Sequence, residues 1–493
     1  MKRLPIILCL VAAACSCHEQ EPSPTPPAPP APETDKPTAT TYVTDASGKQ
    51  MEQGSIVLGK PSDAVFYKVS LDGESYQSVD GFGFAITHAS CYNLLLMPQA
   101  DRTALLEELF SREKGIGSSL ARICIGGSDF SMDEYTWCDE PGMENFAVHG
   151  LDEEWLFPIL DEIMKINPAI RFIGSPWSCP RWMKVGDDLK SPYDAWTGGR
   201  LNPLLYKDYA DYFVRWIREM ESRGYPIYAV TLQNEPLNRG NSMSLYMGWK
   251  EQRDFIKEAV GPAFQAAGLK TKILLFDHNY NYDNISAEAD YPIHVLEDAD
   301  AARYVAGSAW HNYGGSVTTL DKVHSRFPDK DIFFTEASIG EWGGGYNYVG
   351  SLINDFRDNF LGTLGRFGKG VTLWNLMLDS DHKPFRAGGC SNCLGALTLS
   401  TKDHTLKGVV RNSHYYNVAH CSKVLAPGAV RLGTSGFTAD KATYQWYRNP
   451  DGSYAIVALN EGSDEVRINF VTDRVSVPVR LPAKSLVSVI WKE

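Results

Sequence analysis

Eight short apolar runs, separated by longer amphipathic segments, constrain the fold of this chain more than any other feature. The runs are GFGFAIT from residue 81, ARICIG from 121, IRFIGSPW from 170, YAVTLQ from 228, KILLFDHN from 272, YVAGSAW from 304, DIFFTEA from 331 and GVTLWNLML from 370. Strand-like runs that alternate with helical segments are typical of parallel sheets with crossover helices, and eight such units make a TIM barrel. The sequence therefore predicts an α/β fold with a (β/α)8 barrel over residues 80–411.

The segments between the runs support this prediction. QADRTALLEELFSRE, DEEWLFPILDEIMKIN, LYKDYADYFVRWIREMESRG and KEQRDFIKEAVGPAFQAAG all carry apolar residues at helical spacing. After about residue 412 the pattern changes to short alternating runs such as YAIVALN and KSLVSVIW, with Gly and Asp between them. We therefore expect a side antiparallel β-sandwich over 412–493, joined by pre-barrel strands within 46–79.

The N-terminus predicts export and a lipid anchor. Lys2 and Arg3 precede a short apolar segment that ends in small residues and cysteine, the layout of a bacterial lipoprotein signal over residues 1–17. Cys17, or alternatively Cys15, is the expected lipidation site; a plain secretory signal is the alternative. Residues 18–45 are rich in proline and predict an extended linker. The expected location is the bacterial cell envelope, at the outer membrane or cell surface.

The charge of the chain excludes one class of partner. There are 47 Lys and Arg against 60 Asp and Glu, which gives a net charge of -13. Nucleic-acid binding needs clustered cations, and no basic run occurs, so we expect no nucleic-acid partner.

Polar residues end the apolar runs, which is where a TIM barrel builds its active site. These residues are Thr87, His88, Arg122, Asp129, Trp177, Asn234, Glu235, Asp277, His278, Asn279, His311, Tyr313, Glu336, Trp374 and Asn375. Glu235 and Glu336 follow the fourth and seventh runs directly. Two opposed carboxylates suit glycoside hydrolysis, with retention of configuration when they are about 5 Å apart. The aromatic residues Trp177, Tyr246, Tyr313, Trp342 and Trp374 are candidate platforms for sugar rings, although barrel packing is the alternative for each.

Seven ordered motifs also carry a family resemblance. GFGFAITHAS, RICIGGSDFS, SPWSCPRWMK, LQNEP, AWHNY, FTEAS and LWNLMLD resemble glycoside hydrolase family 30, which includes glucosylceramidases and endo-β-1,6-glucanases, and the match spans roughly residues 76–493. The resemblance implies a retaining β-glycosidase with Glu235 as acid/base and Glu336 as nucleophile, and no cofactor or metal. It also implies substrate contacts from Arg122, Asp129, Trp177, Asn234, His311, Tyr313 and Trp374. His88 stands where many relatives have aspartate, which puts one contact near the glycone in doubt.

Cys390 and Cys393 have the spacing of half a zinc site. Because no second pair of ligands accompanies them, we expect a local disulfide or two free thiols, and no metal.

The expected function is hydrolysis of β-linked glucose by double displacement, with β-1,6-glucan as the expected substrate. A glucosylceramidase-like or xylanase-type β-glycosidase is the alternative within the class. A catalytically inactive carbohydrate-binding lipoprotein is the alternative of another class, since a fold alone does not guarantee activity.

Overall fold

The computed structural model describes residues 37–64, 67–281 and 285–493. All eight predicted strands form one closed parallel barrel in chain order. They are Gly81–Ile86, Leu120–Cys124, Arg171–Ser175, Ile227–Thr231, Lys272–Asn279, Val305–His311, Asp331–Glu336 and Gly368–Leu373. The eighth strand pairs with the first, so the sheet has no free edge.

The inside of the barrel is filled by side chains. Leu120, Ile173, Ala229, Leu274, Ala309 and Phe333 form one buried cluster. Because this packed layer closes the interior, polar groups that must meet a substrate lie at the ends of the strands.

Helices surround the barrel. They are His88–Leu96, Gln99–Phe110, Phe157–Ile166, Tyr206–Ser222, Trp249–Phe255, Gly261–Ala267, Tyr291–Glu297, Ala299–Ala302, Thr319–Arg326, Tyr348–Asp355, Thr363–Gly365 and Ser413–Ser422. Pro158 and Pro262 each lie just after a π-helical turn, Asp152–Leu156 and Ile256–Val260. Proline has no amide N–H, so the normal helical hydrogen bond is lost where the turn widens. None of the described helices is long and apolar enough to span a bilayer.

A nine-stranded, mostly antiparallel sheet forms the side β-sandwich. Its strands are Thr38–Asp45, Glu52–Val57, Lys68–Ser78, Val430–Gly436, Ala442–Arg448, Tyr454–Asn460, Val466–Val471, Ser476–Leu481 and Ser485–Trp491. Val69, Trp446 and Phe470 are among the residues of its own buried core. The pre-barrel strands therefore join the C-terminal strands, as expected.

The structure corrects the predicted linker at its C-terminal end. Thr38–Asp45 is a strand that pairs with Glu52–Val57 on one side and with Ser485–Trp491 on the other. Over its first four residues the side chains alternate in burial, with Ala39 and Thr41 inside, and this period of two lets a stretch rich in threonine complete the sheet. The remainder of the predicted linker and the signal, with Cys15 and Cys17, lie outside the described residues.

Candidate active site

Glu235 and Glu336 line one cleft at the C-terminal end of the barrel, with a volume of about 410 Å³. Glu336 is the last residue of the seventh strand. Glu235 lies beyond the fourth strand, where φ is +45° and its amide donates to the Asp277 carbonyl at 2.9 Å. A left-handed backbone is costly for a glutamate, so this hydrogen bond helps to fix the turn that presents the carboxylate.

Two donors hold the carboxylate of Glu336. Arg122 Nη1 donates to Oε2 at 2.5 Å, and the Tyr313 hydroxyl donates to Oε1 at 3.1 Å. The Tyr313 hydroxyl also lies 2.8 Å from the Ser338 hydroxyl. With one donor at each oxygen, the plane of the carboxylate is fixed.

Arg122 is the cation at the centre of the site and is fully buried. Its Nε donates to Ser175 at 3.1 Å, and its Nη2 donates to the Asn234 side-chain oxygen at 2.7 Å and to Asp277 at 2.8 Å. The rings of Trp177 and Trp374 lie 4.9 and 5.7 Å from the guanidinium carbon. Arginine suits this position because its planar guanidinium group can donate hydrogen bonds to several acceptors at once.

Asp277 is the buried anion that organises the polar groups beneath the cleft. It lies at an irregularity of the fifth strand, with φ of +70°. Its carboxylate accepts hydrogen bonds from Arg122, Ser175, Thr231, His311 and Thr335. Burial opposes ionisation, but the Arg122 charge and these donors outweigh it and hold the pKa of Asp277 well below its usual range.

His311 lies between the acidic groups. Its Nε2 is 3.1 Å from Asp277 Oδ1 and 4.0 Å from Glu336 Oε2, and its Nδ1 is 3.4 Å from Glu235 Oε1. Burial alone would lower its pKa, but the three carboxylates raise the pKa of His311 to about 9. The ring is therefore an imidazolium at neutral pH.

The two glutamates titrate as a coupled pair. Burial raises the pKa of Glu336, and the charges of His311 and Arg122 offset this only in part. Burial also tends to raise the pKa of Glu235. The hydrogen bond from His311 and the charges of the histidines outweigh burial and lower the pKa of Glu235 to about 2 in the free protein. In the free protein these effects therefore favour the charged form at Glu235 and oppose it at Glu336.

The other wall of the cleft combines one acid with aromatic rings. Asp129, Tyr313, Trp342 and Trp374 line it. Asp129 is buried, and its Oδ1 has no hydrogen-bond partner among the described residues. Burial raises the pKa of Asp129 well above its usual range. An unpaired buried oxygen beside ring faces is the arrangement expected for binding a sugar hydroxyl and its apolar face.

Several predicted residues support the cleft without lining it. Arg122, Asn234 and His311 lie beneath the two glutamates, and Trp177 stacks on Trp374 at 4.9 Å. Nε, Nη1 and Nη2 of Arg122 each donate to an acceptor of the protein itself.

Two further expectations are corrected. Tyr246 does not form a platform at the cleft, because it is buried beneath Arg200 and Arg239 at 4.4 and 4.1 Å. His88 is not at the cleft either: its Nε2 lies 2.9 Å from Asp152 Oδ1, within a buried polar cluster of its own.

Asn238 and Asn241 are contacts of the acid/base candidate that the sequence did not indicate. Asn238 Nδ2 donates to Glu235 Oε2 at 2.8 Å, and Asn241 Nδ2 lies 3.5 Å from the same oxygen. Both are in an irregular loop with no periodicity, and only their closeness to Glu235 in the chain was a possible signal.

Two sets of side chains in the cleft carry atoms of the kinds that coordinate metal ions. The ligand atoms of Glu235, His278 and His311 lie within 4.8 Å of one another, the single such group in the described part of the chain. Within this group, Glu235 already forms a hydrogen bond with Asn238, and His311 forms one with Asp277. Cys390 and Cys393 form a disulfide, which decides between the two states left open by the sequence.

A larger groove of about 800 Å³ lies on the β-sandwich and is lined by charged residues of both signs, among them Lys68, Arg448, Asp451 and Glu493. It lacks an opposed pair of buried carboxylates, so we place the chemistry at the barrel.

Comparison with known proteins confirms the family resemblance. Residues 79–425 match the glycosyl hydrolase family 30 TIM-barrel domain, and residues 428–489 match the family 30 beta sandwich domain. The chain is 32% identical to the endo-1,6-beta-D-glucanase BGN16.3 of Trichoderma harzianum over 84% of each chain. It is 30% identical to the putative glucosylceramidase 2 of Caenorhabditis elegans, over 86% of this chain and 82% of that one. Among solved structures it is similar to the endo-beta1,6-glucanase BT3312, with 46% identity, a TM-score of 0.88, and coverage of 92% of this chain and 100% of that one.

Proposed function

The chain belongs to glycosyl hydrolase family 30, and from this premise we propose that it is an endo-acting β-1,6-glucanase that uses Glu235 as acid/base and Glu336 as nucleophile. It is a β-glycoside hydrolase of the kind that retains configuration. The observation that carries the residue assignment is the placement of both glutamates in one cleft with the donors each role requires.

The first step forms a glycosyl-enzyme. A carboxylate oxygen of Glu336 attacks the anomeric carbon, and Glu235 delivers a proton to the departing oxygen. Arg122 and Tyr313 hold Glu336 in place, and Asn238 orients Glu235. Trp374 and Trp342 offer ring faces to the sugar, and Asp129 offers its unpaired oxygen to a hydroxyl group.

The second step releases the sugar. Glu235, now ionised, removes a proton from a water molecule, which attacks the anomeric carbon and frees Glu336. His311 remains charged throughout and stabilises whichever glutamate is ionised. Two inversions restore the original β configuration.

The choice of β-1,6-glucan over glucosylceramide is supported by similarity. The 46% identity to a β-1,6-glucanase extends over 92% of this chain, whereas the glucosylceramidase relative is 30% identical over 86%.

A substrate panel tests this choice. The protein is incubated with β-1,6-, β-1,3- and β-1,4-glucans, xylan and glucosylceramide, and the products are separated by size. We expect a ladder of short oligosaccharides from the β-1,6-glucan alone. If the protein releases glucose from glucosylceramide and leaves the β-1,6-glucan intact, the proposal is wrong and the protein is a glucosylceramidase.

We also propose that the protein is anchored to the bacterial envelope through Cys17, or Cys15. Support comes from the signal-like residues 1–17 and the proline-rich segment that follows. The full chain should sediment with membranes, and replacement of both cysteines by serine should release it. A truncated protein must begin before Thr38, since Thr38–Asp45 belongs to the sheet. Retention of the double variant in the membrane fraction would contradict the anchor.

A further inference from the structure

The disulfide between Cys390 and Cys393 lies in the wall of the catalytic cleft, although the reaction does not use it. We call residues 386–394 the disulfide loop. Cys393 is buried with Trp177 and Trp374, and Cys390 packs against the same cluster. The sulfur atoms therefore lie beside the aromatic side of the cleft.

The disulfide loop joins segments from three different barrel strands. Cys393 pairs with Gly340, just beyond the nucleophile strand, and the Glu341 amide donates to the Asn392 carbonyl at 2.8 Å. On the other side, the Arg386 amide donates to the Asp129 carbonyl at 2.7 Å. A Cβ built on Gly388 would lie 3.4 Å from the side chain of Ser242, in the segment after Glu235.

The closest of these contacts is with Asp129. A Cβ built on Gly389 would lie 2.9 Å from the Asp129 Cβ and 3.0 Å from its carbonyl oxygen. The loop backbone is therefore pressed against the residue whose Oδ1 is buried and unpaired in the cleft. The loop therefore limits the space that is open to Asp129.

Two glycines lie at the centre of the loop. Gly388 has φ of +84°, and Gly389 follows it, so the unrestrained backbone would be unusually free. A covalent link across three residues removes much of that freedom. The groups that surround Glu336, namely Arg122, Asp277 and His311, make no hydrogen bond to the loop among the described residues.

We propose that the Cys390–Cys393 disulfide positions Asp129 for substrate binding, so that the oxidised loop is required for tight binding but not for the chemical step. The inference rests on the proposed hydrolysis at Glu235 and Glu336. It makes Cys390 and Cys393 positioning residues, and it links full activity to the oxidising conditions met by an exported protein.

Reduction provides the first test. Dithiothreitol reduces the disulfide to two thiols and is itself oxidised to its cyclic disulfide, so two electrons and two protons pass to the protein. With a soluble β-1,6-linked gluco-oligosaccharide, we expect KM to rise about three- to tenfold, the range expected when one or two ordered groups lose their preorganisation. The turnover number should change less than twofold, and reoxidation should restore KM.

The Cys390→Ser/Cys393→Ser variant is the matched control for reduction. It should show the raised KM before any treatment, and dithiothreitol should have no further effect on it. Equal KM values for the oxidised protein, the reduced protein and this variant would overturn the proposal. An equal loss of turnover number would overturn it as well, because the loop would then act on the chemical step.

Gly389→Ala tests the contact without altering the thiols. The added methyl group must push the loop away from Asp129, so KM should rise with the disulfide intact. Gly150→Ala is the control, because nothing lies within 4 Å of its Cβ position. An unchanged KM in Gly389→Ala would count against the proposal. Absence of activity in the oxidised wild-type protein on every β-glycoside would instead refute the proposed function.

Discussion

Replacement of Arg122 by lysine tests the organisation of the whole site. The guanidinium donates to Ser175, Asn234, Asp277 and Glu336 from three nitrogens. A lysine keeps the positive charge but has a single nitrogen, which cannot reach all four acceptors. We expect it to stay with Asp277, the more deeply buried anion, and to lose its bond to Glu336.

The magnitude follows from that one lost contact. A hydrogen bond between charged groups contributes about 1.5–3 kcal/mol. At about 1.4 kcal/mol for each factor of ten, kcat/KM should fall roughly 10- to 150-fold. Arg122 also lowers the pKa of Glu336, in opposition to burial. Weakening the contact between Arg122 and Glu336 should raise the pKa of Glu336 further and move the acidic limb of the pH profile to higher pH.

The assay is the pH dependence of kcat/KM on an aryl β-glucoside. Arg171→Lys is the matched control. Like Arg122, Arg171 pairs with a carboxylate (Asp80 at 2.7 Å) and lies over an aromatic ring (Tyr228 at 4.9 Å). It is, however, at the opposite end of the barrel. The control should keep wild-type kinetics. An Arg122→Lys variant with wild-type kcat/KM and an unmoved acidic limb would refute the assignment of Arg122 as the group that holds the nucleophile.

Four further predictions concern the reacting groups. Glu336→Ala should abolish turnover, and azide should restore cleavage through the vacated space with an α-configured azide product. Glu235→Gln should keep glycosylation by an activated aryl glycoside, which needs no proton, and slow deglycosylation; equal losses on activated and natural substrates would contradict the acid/base role. Proton NMR of the first product should show the β anomer, and initial α product would exclude double displacement. Because the pKa of His311 is raised to about 9, the stabilisation that the charged ring gives to the folded protein is complete below pH about 6.5 and is lost as the pH rises towards 9. The melting temperature of His311→Gln should therefore vary less over this interval than that of the wild type.

The sequence predicted the barrel well because its signal is local. Each strand is a short run of apolar residues, and four of the connecting segments carry apolar residues at helical spacing, so the eight strands were visible without any knowledge of long-range contacts. Glu235 and Glu336 were found for the same reason, since strand ends in a barrel meet at one face.

Long-range contacts were beyond the reach of the sequence. Asp277 was one of fifteen polar residues at strand ends, and nothing local distinguishes it as the acceptor of five hydrogen bonds. The pairing of Cys393 with Gly340 joins segments more than fifty residues apart. Thr38–Asp45 was assigned to the linker because its proline-rich neighbours dominate the composition, and only pairing with Ser485–Trp491 makes it a strand.

The charges of the site balance through the first chemical step. Arg122 and His311 contribute two positive charges, and Asp277, Glu235 and Glu336 are three carboxylates, all buried. The reaction requires a proton on Glu235, and with that one proton the group is neutral, which is the state that a buried cluster favours. During attack Glu336 becomes an uncharged ester while Glu235 gives up its proton and becomes an anion, so the sum remains zero. The proton that makes the group neutral is therefore the proton that the leaving group needs, and His311, near both glutamates, stabilises the negative charge wherever it lies.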